Sequence, residues 1–210
     1  LQLVNEKTKI DWQGQLTQSI AGKEVYPRPV QDKLPLWVAT GGHVESTVKI
    51  AQAGLPIVYA IIGGNPRYFK KLIQAYREIG READHADKDL KVGAHSWGWI
   101  AEDGEQAVKD YFHPTKQVVD AISKDRPHWQ ELTYEQYLEQ VGPNGAMFVG
   151  NPDQVAEKLI RMIEDLDLDR FMLHLPLGSM PHDQVLRAIE LFGTQVAPKI
   201  RAYFAMKERI

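Results

Sequence analysis

Two apolar runs, residues 34–40 and 56–62, each end on a Gly-Gly pair and pass straight into a segment of helical periodicity. That order of strand, glycine turn and amphipathic helix leaves few folds open. Strands that are apolar without alternation are covered on both faces, and a crossover helix laid back on the sheet makes neighbouring strands parallel. The second helix gains an N-cap from Asn65 and a first-turn proline from Pro66, with Phe69, Leu72, Ile73, Tyr76 and Ile79 as its buried stripe. A third run, 90–100, leads into a helix starting near Glu102, followed by an insertion rich in Trp, Tyr and His. Asn151-Pro152-Asp153-Gln154 is a capping-box start for a helix ending near Leu166. Residues 170–175 form the fourth strand, and a final helix begins near Pro181, with Pro198 expected to break or kink it. The class is α/β with four strands; residues 1–33 read as a connecting segment and 34–210 as the βα units.

Composition narrows the function classes. The 25 basic and 28 acidic side chains of the 210-residue chain leave a net charge of −3, too near neutral for non-specific binding of nucleic acid. The chain has no cysteine, which excludes disulfide frameworks, thiolate nucleophiles and cysteine-ligated metals and favours a cytosolic, cytoplasmic address. Its longest apolar stretch, 55–62, falls far short of the roughly 18–20 residues a membrane span needs. The first residue is Leu1 rather than Met, which fits a piece of something longer.

Thr40-Gly41-Gly42-His43 runs from the first strand into a helix whose early turn offers Ser46 and Thr47. Glycines let backbone approach an anion, and a helix N-terminus presents unpaired N–H groups with the positive end of its dipole. A phosphate suits that place; a plain tight βα turn is the other reading. Gly63-Gly64, after Ile62, lies on the same sheet edge. A bulky residue at Gly42 is expected to block a ligand while sparing the fold. Neither turn is followed by Lys-Ser or Lys-Thr, and neither spells a dinucleotide fingerprint.

On the third strand, alternation puts Gly93, His95, Trp97 and Trp99 on one face. On the fourth, Met172 and His174 share a face, His174 standing near the C-terminal end where α/β enzymes keep ligands. His95, Trp97 and His174 are therefore candidates for a pocket wall, against the alternative of satisfied core side chains. Asp110 and His113 stand at helical spacing without a third ligand, so no metal site is expected. No serine sits in a nucleophile elbow. The acidic run 164–169 reads as a solvated helix end and turn.

Taken in order, Pro35-Leu36-Trp37-Val38-Ala39-Thr40-Gly41-Gly42, Ala53-Gly54-Leu55-Pro56, Ala60-Ile61-Ile62-Gly63-Gly64, Val149-Gly150-Asn151-Pro152-Asp153-Gln154-Val155 and 189–198, ending Phe192-Gly193-Thr194-Gln195-Val196-Ala197-Pro198, form a set. From about Tyr26 to Arg201 it resembles the C-terminal half of the bacterial luciferase-like, flavin-dependent monooxygenases. The resemblance implies one (β/α)₈ barrel domain of TIM type, of which this chain supplies about the last four βα units. It implies reduced FMN, or the deazaflavin F420, as cofactor, with O₂ and a small organic substrate as partners and a reductase supplying the flavin. It also places the cofactor phosphate on Thr40, Gly41, Gly42, His43 and Ser46, and the ring or ribityl chain near Ile62, Gly63 and Gly64. His43-Val44 departs from the usual small residue and proline before Glu45-Ser46.

A barrel of this kind takes eight strands and about 250 residues. The family's first half, with its ring contacts and catalytic histidine, is absent from this sequence, so catalytic residues are not assigned. Half a barrel has open sheet edges and an uncovered apolar face. It is expected to associate with a missing N-terminal half or with another copy in a homo-oligomer. The rivals are a non-catalytic flavin-binding or structural half-barrel, and a phosphosugar-binding fragment that ignores flavin.

Overall fold

The structure is a computed structural model that describes residues 9–32, 34–126 and 129–207. The chain divides into two compact units, Leu1–Trp37 and Val38–Ile210. In the first, the connecting segment expected over 1–33 contains an antiparallel hairpin, β1 (Ile10–Trp12) with β2 (Ile20–Lys23), in which Trp12 pairs with Ile20. Asp11 Oδ1 accepts the Gly22 N–H at 2.7 Å. The hairpin has too few alternating residues to leave a period in the sequence. Residues 1–8 and 33 of that segment lie outside the described residues.

The second unit is the α/β layer, with five parallel strands rather than four: β3 (Val38–Thr40), β4 (Ile57–Ala60), β5 (Val92–Ile100), β6 (Phe148–Gly150) and β7 (Arg170–His174). β5 pairs with β4 through Val92–His95 and with β7 through Gly93–Trp97, so it runs between them. Its last three residues, Gly98 to Ile100, pair with β6. β6 escaped the sequence reading because three residues after an irregular loop carry no periodicity. Among the described residues of this unit, β3 and β7 have no strand on their outer edges.

Register sorts the side chains into two faces. Ile57, Tyr59 and Ile61, all fully buried, point at helices α1 (Val44–Gln52) and α2 (Phe69–Glu82). Tyr76 of α2 donates to the Leu55 carbonyl at 2.8 Å, fixing the helix against the strand below it. The opposite face carries Val58, Ala60, His95, Trp97, Met172 and His174, and it is the emptier one: Met172 is 37% exposed.

Capping explains where the later helices start. Asp103 accepts the Glu105 and Gln106 amides at the head of α3 (Gly104–Asp125). Thr133 and Gln136 form a capping box for α4 (Tyr134–Val141), and Asn151 and Gln154 form the expected one for α5 (Pro152–Leu166). Beyond α6 (His182–Leu191) the break expected at Pro198 is resolved by a π-helical turn, Phe192–Val196. α7 (Ala197–Lys207) follows directly. The wider turn accommodates a proline ring that would crowd the carbonyl four residues before it.

The acidic run is the exposed helix end and turn expected, and its carboxylates have partners. Asp165 pairs with Arg67 and Asp167 with Arg77, while Glu164 accepts from Tyr203 and Lys207. Asp169 Oδ2 takes the Val92 N–H at 2.8 Å, tying the start of β7 to β5. Lys158 of α5 is half-buried, and its Nζ meets the carbonyls of Gln140, Val141, Gly142 and Met147 at 2.6–3.4 Å. It thereby caps the C-terminus of α4. No helix of the described residues is long and apolar enough to cross a membrane.

Candidate functional site

Because β3, β4, β5 and β7 are parallel, the turns that follow them share one edge of the sheet. Thr40 pairs with Tyr59, Ala60 with His95 and Trp97 with His174, which brings the 40–43 turn beside 61–64 and both near the histidines' end of the sheet. Gly41, His43, Gly63 and Gly64 are exposed there, Gly42, Ser46 and Ile62 half-buried, and Thr40 buried.

The 40–43 turn is held from beneath. Thr47 donates its hydroxyl to the His43 carbonyl at 3.1 Å, and Tyr59 OH lies 3.2 Å from the same Thr47 oxygen. Since Thr47 has one hydroxyl proton and spends it on His43, Tyr59 is the donor to Thr47. Burial pushes the Tyr59 phenol up to about 12. The Phe69 ring meets Tyr59 edge-on at 5.6 Å and lies directly below Gly42.

Two expectations change here. The Gly42 N–H donates to Thr40 Oγ1 at 3.3 Å, so it is spent within the turn rather than presented to a ligand. Gly42 also adopts φ +100°, and a Cβ on it would stand 2.8 Å from Phe69 Cε1. A bulky Gly42 variant therefore strains the fold as well as blocking a ligand. Gly41, Gly63 and Gly64 are the open positions of these turns, with no atom within 4 Å of a built Cβ beyond the chain neighbours, and of the three Gly64 alone has a positive φ, +73°.

What remains for an anion is the head of α1. His43 is its N-cap residue, and no side chain caps the helix. Glu45, which would repel an anion, turns to Lys49 at 2.7 Å. The first-turn amides, with Ser46 beside them, form a donor set suited to a phosphate. The residues thus fit the phosphate of a flavin, through α1 and the space over Gly41 rather than through Gly42.

The second group lies on the emptier face. His95 and His174 come together with ring centroids 5.6 Å apart and planes tilted by 38°. Burial lowers the His95 pKa, and the charge of His174 lowers it further. Trp97, nearly buried, packs at 6.5 Å against Trp129 from the β5–β6 insertion. Trp129, Phe69 and Tyr59 were not legible as site neighbours: Trp129 sits in a loop without period, and the other two read as ordinary core positions.

Two concavities lie elsewhere. One, of about 130 Å³, is lined by Asn65, Arg67, Asn144, Lys158, Arg161 and Asp165. The other, of about 730 Å³, runs between α5, β7 and α7. Neither includes the 40–43 turn or the histidine pair, which form open sheet surface. Among the described residues there is no cluster of three His, Asp or Glu able to hold a metal.

Comparison with known proteins follows this geometry. Solved structures similar to the chain include a monooxygenase, RslO1, from Streptomyces bottropensis (TM-score 0.75, 19% identity), matched over 94% of this chain and 57% of that one. A coenzyme F420-dependent tetrahydromethanopterin reductase from Methanopyrus kandleri has TM-score 0.65 and 16% identity over 95% and 60%. The oxygenating constituent of 3,6-diketocamphane monooxygenase from Pseudomonas putida, in complex with FMN, has TM-score 0.59 and 17% identity over 94% and 60%. At these identities the likeness is one of fold, a luciferase-like barrel, and the chain spans 57–60% of the length of these proteins. No curated protein matches. A family model described as luciferase-like monooxygenase matches residues 1–169, starting earlier than the motifs in the sequence and ending before 189–198. With 169 of its 210 residues matched, the chain belongs to the luciferase-like monooxygenase family.

Proposed function

We propose that this chain supplies the cofactor-phosphate grip and one pocket wall of an oxidoreductase that uses reduced FMN and O₂ on a small organic substrate. The observation that carries the reading is the uncapped head of α1 opening beside Gly41 and Gly63 at the C-terminal edge of a parallel sheet. FMN ends in a phosphate and F420 carries a phosphodiester on the side away from the ring, and one neighbour of each kind shares the fold. A bound reduced flavin would supply the electrons for activating O₂.

The chain's own residues then have distinct tasks. The amides of Val44, Glu45 and Ser46 hold the phosphate, and the Tyr59–Thr47–His43 chain keeps that helix head in place. Ile62, Gly63 and Gly64 border the ribityl path. Trp97 and Trp129 form an apolar wall that keeps water from the reacting groups, while His95 and His174 face the substrate. A reductase delivers the flavin, and the open edges of β3 and β7 take up the remaining barrel half or a second copy.

A second reading is a half-barrel that binds flavin without turnover, its β3 and β7 edges, which lack a neighbouring strand among the described residues, being covered by association. Fluorescence titration with FMN tests binding, and consumption of reduced FMN in the presence of an aldehyde separates the two readings. Saturable binding with accelerated consumption supports the oxidoreductase, binding alone supports the half-barrel, and no binding rejects both.

A further inference from the structure

The cavity of about 130 Å³ has no part in the flavin reading, and the turn between α4 and β6 forms part of its wall through Asn144 and Gly145. The chain has four asparagines, Asn5, Asn65, Asn144 and Asn151. Asn65 and Asn151 precede prolines, whose nitrogens carry no hydrogen, and both side chains are spent as caps. Asn144 instead precedes a glycine. It stands exposed in its turn, and its carboxamide has no hydrogen-bond partner among the described residues.

Packing requires the glycine, since a Cβ at residue 145 would collide with the Gln140 backbone. No side chain therefore shields the Gly145 nitrogen. Its N–H gives a hydrogen bond of 3.1 Å to the Gly142 carbonyl, an oxygen that also takes Lys158 Nζ at 2.7 Å. Releasing one neutral bond of this kind slows a reaction at the nitrogen only about fivefold. The surroundings favour that reaction. Arg67, Lys158 and Arg161 line the cavity with Asn144, against the single carboxylate of Asp165 among the described residues, and Asp165 pairs with Arg67 at 3.0 Å. Positive charge there stabilises negative charge developing at 144–145.

We propose that Asn144 is a site of spontaneous deamidation, which places a new carboxylate among Lys158, Arg161 and Arg67. The Gly145 nitrogen gives up its proton and bonds to Asn144 Cγ, the Cγ–Nδ2 bond breaks, and ammonia leaves. Water then opens the resulting five-membered imide at either carbonyl, giving an aspartyl or a β-aspartyl residue. The sum is carboxamide plus water to carboxylate plus ammonium. The β-aspartyl form lengthens the backbone between the Gly142 and Met147 carbonyls, both of which hold Lys158, so it loosens the cap on α4.

The test incubates the full folded chain at mildly alkaline pH and follows all four asparagines by peptide mapping, with fragmentation that separates aspartyl from β-aspartyl products. Conversion at Asn144 is expected at least about tenfold faster than at any other asparagine, with both products formed. Asn144→Gln should abolish the early ammonia release. The β-aspartyl chains should exchange amide hydrogens faster over residues 134–141 than Asn144→Asp, which carries the charge on an unlengthened backbone.

A folded chain that keeps Asn144 intact while a urea-unfolded chain converts it overturns the proposal, because the native turn then withholds the nitrogen. Conversion no faster than at Asn5 overturns it as well. Equal exchange over 134–141 in the β-aspartyl chains and in Asn144→Asp overturns the link to the α4 cap.

Discussion

The Phe69 ring fills the space below Gly42, its Cε1 2.8 Å from where a Cβ would stand. The glycine at that position serves the protein's own packing, and its neighbour Gly41 is the one that faces open space. The two glycines of one turn therefore have separable tasks. Gly42→Val should lower stability by about 1–3 kcal/mol, from a positive φ and an overfilled contact. Gly41→Val should unfold within about 0.5 kcal/mol of the parent. Urea denaturation of both variants checks the contrast, and equal losses would contradict it.

The buried Tyr59 phenol makes stability depend on alkaline pH. Its folded pKa is raised to about 12 against an ordinary value near 10. The folded chain then holds the proton where the unfolded chain releases it. The contribution is present below pH 10 and is lost as pH rises toward 12. Tyr59→Phe should flatten this fall, which denaturation at a series of pH values will show. Thr47→Val should cost about 1–2 kcal/mol, because it leaves Tyr59 OH without its buried acceptor.

Lys158 is held by backbone carbonyls and sits over the Phe148 ring at 5.2 Å. Burial draws its pKa down to about 7, while three carbonyl oxygens at the end of α4 and that of Met147 before β6 favour the ammonium. Lys158→Met should keep the aliphatic packing yet strand those acceptors, at a cost of about 2–4 kcal/mol. Hydrogen exchange should rise first in residues 134–141. A variant as stable as the parent would assign the lysine no capping role.

Much of this architecture is visible in the sequence where a physical rule acts over short range. The Gly-Gly turns, the Asn151 cap and the alternation through His95 and Trp97 depend on neighbours in the chain and stand in the structure as read, whereas Asn65 caps a 3₁₀ turn, Pro66–Tyr68, that precedes α2 rather than α2 itself. Other features depend on partners far along the chain. Phe69 below Gly42, Trp129 against Trp97 and Arg77 reaching Asp167 join residues with no common period. The strand at Phe148–Gly150 was missed because its extended form is set by pairing with β5 rather than by its own pattern. The Gly42 amide was misassigned because the Thr40 hydroxyl two residues earlier offers it a nearer acceptor.

The central claim is that the head of α1 grips a flavin phosphate over Gly41. Fluorescence titration of FMN into the parent chain and into Gly41→Val, whose Cβ has no atom within 4 Å beyond its chain neighbours, tests it most directly. The account predicts saturable binding by the parent, weakened at least about tenfold in Gly41→Val with riboflavin, which lacks the phosphate, indifferent to the change. Equal FMN affinity in the two proteins would contradict it.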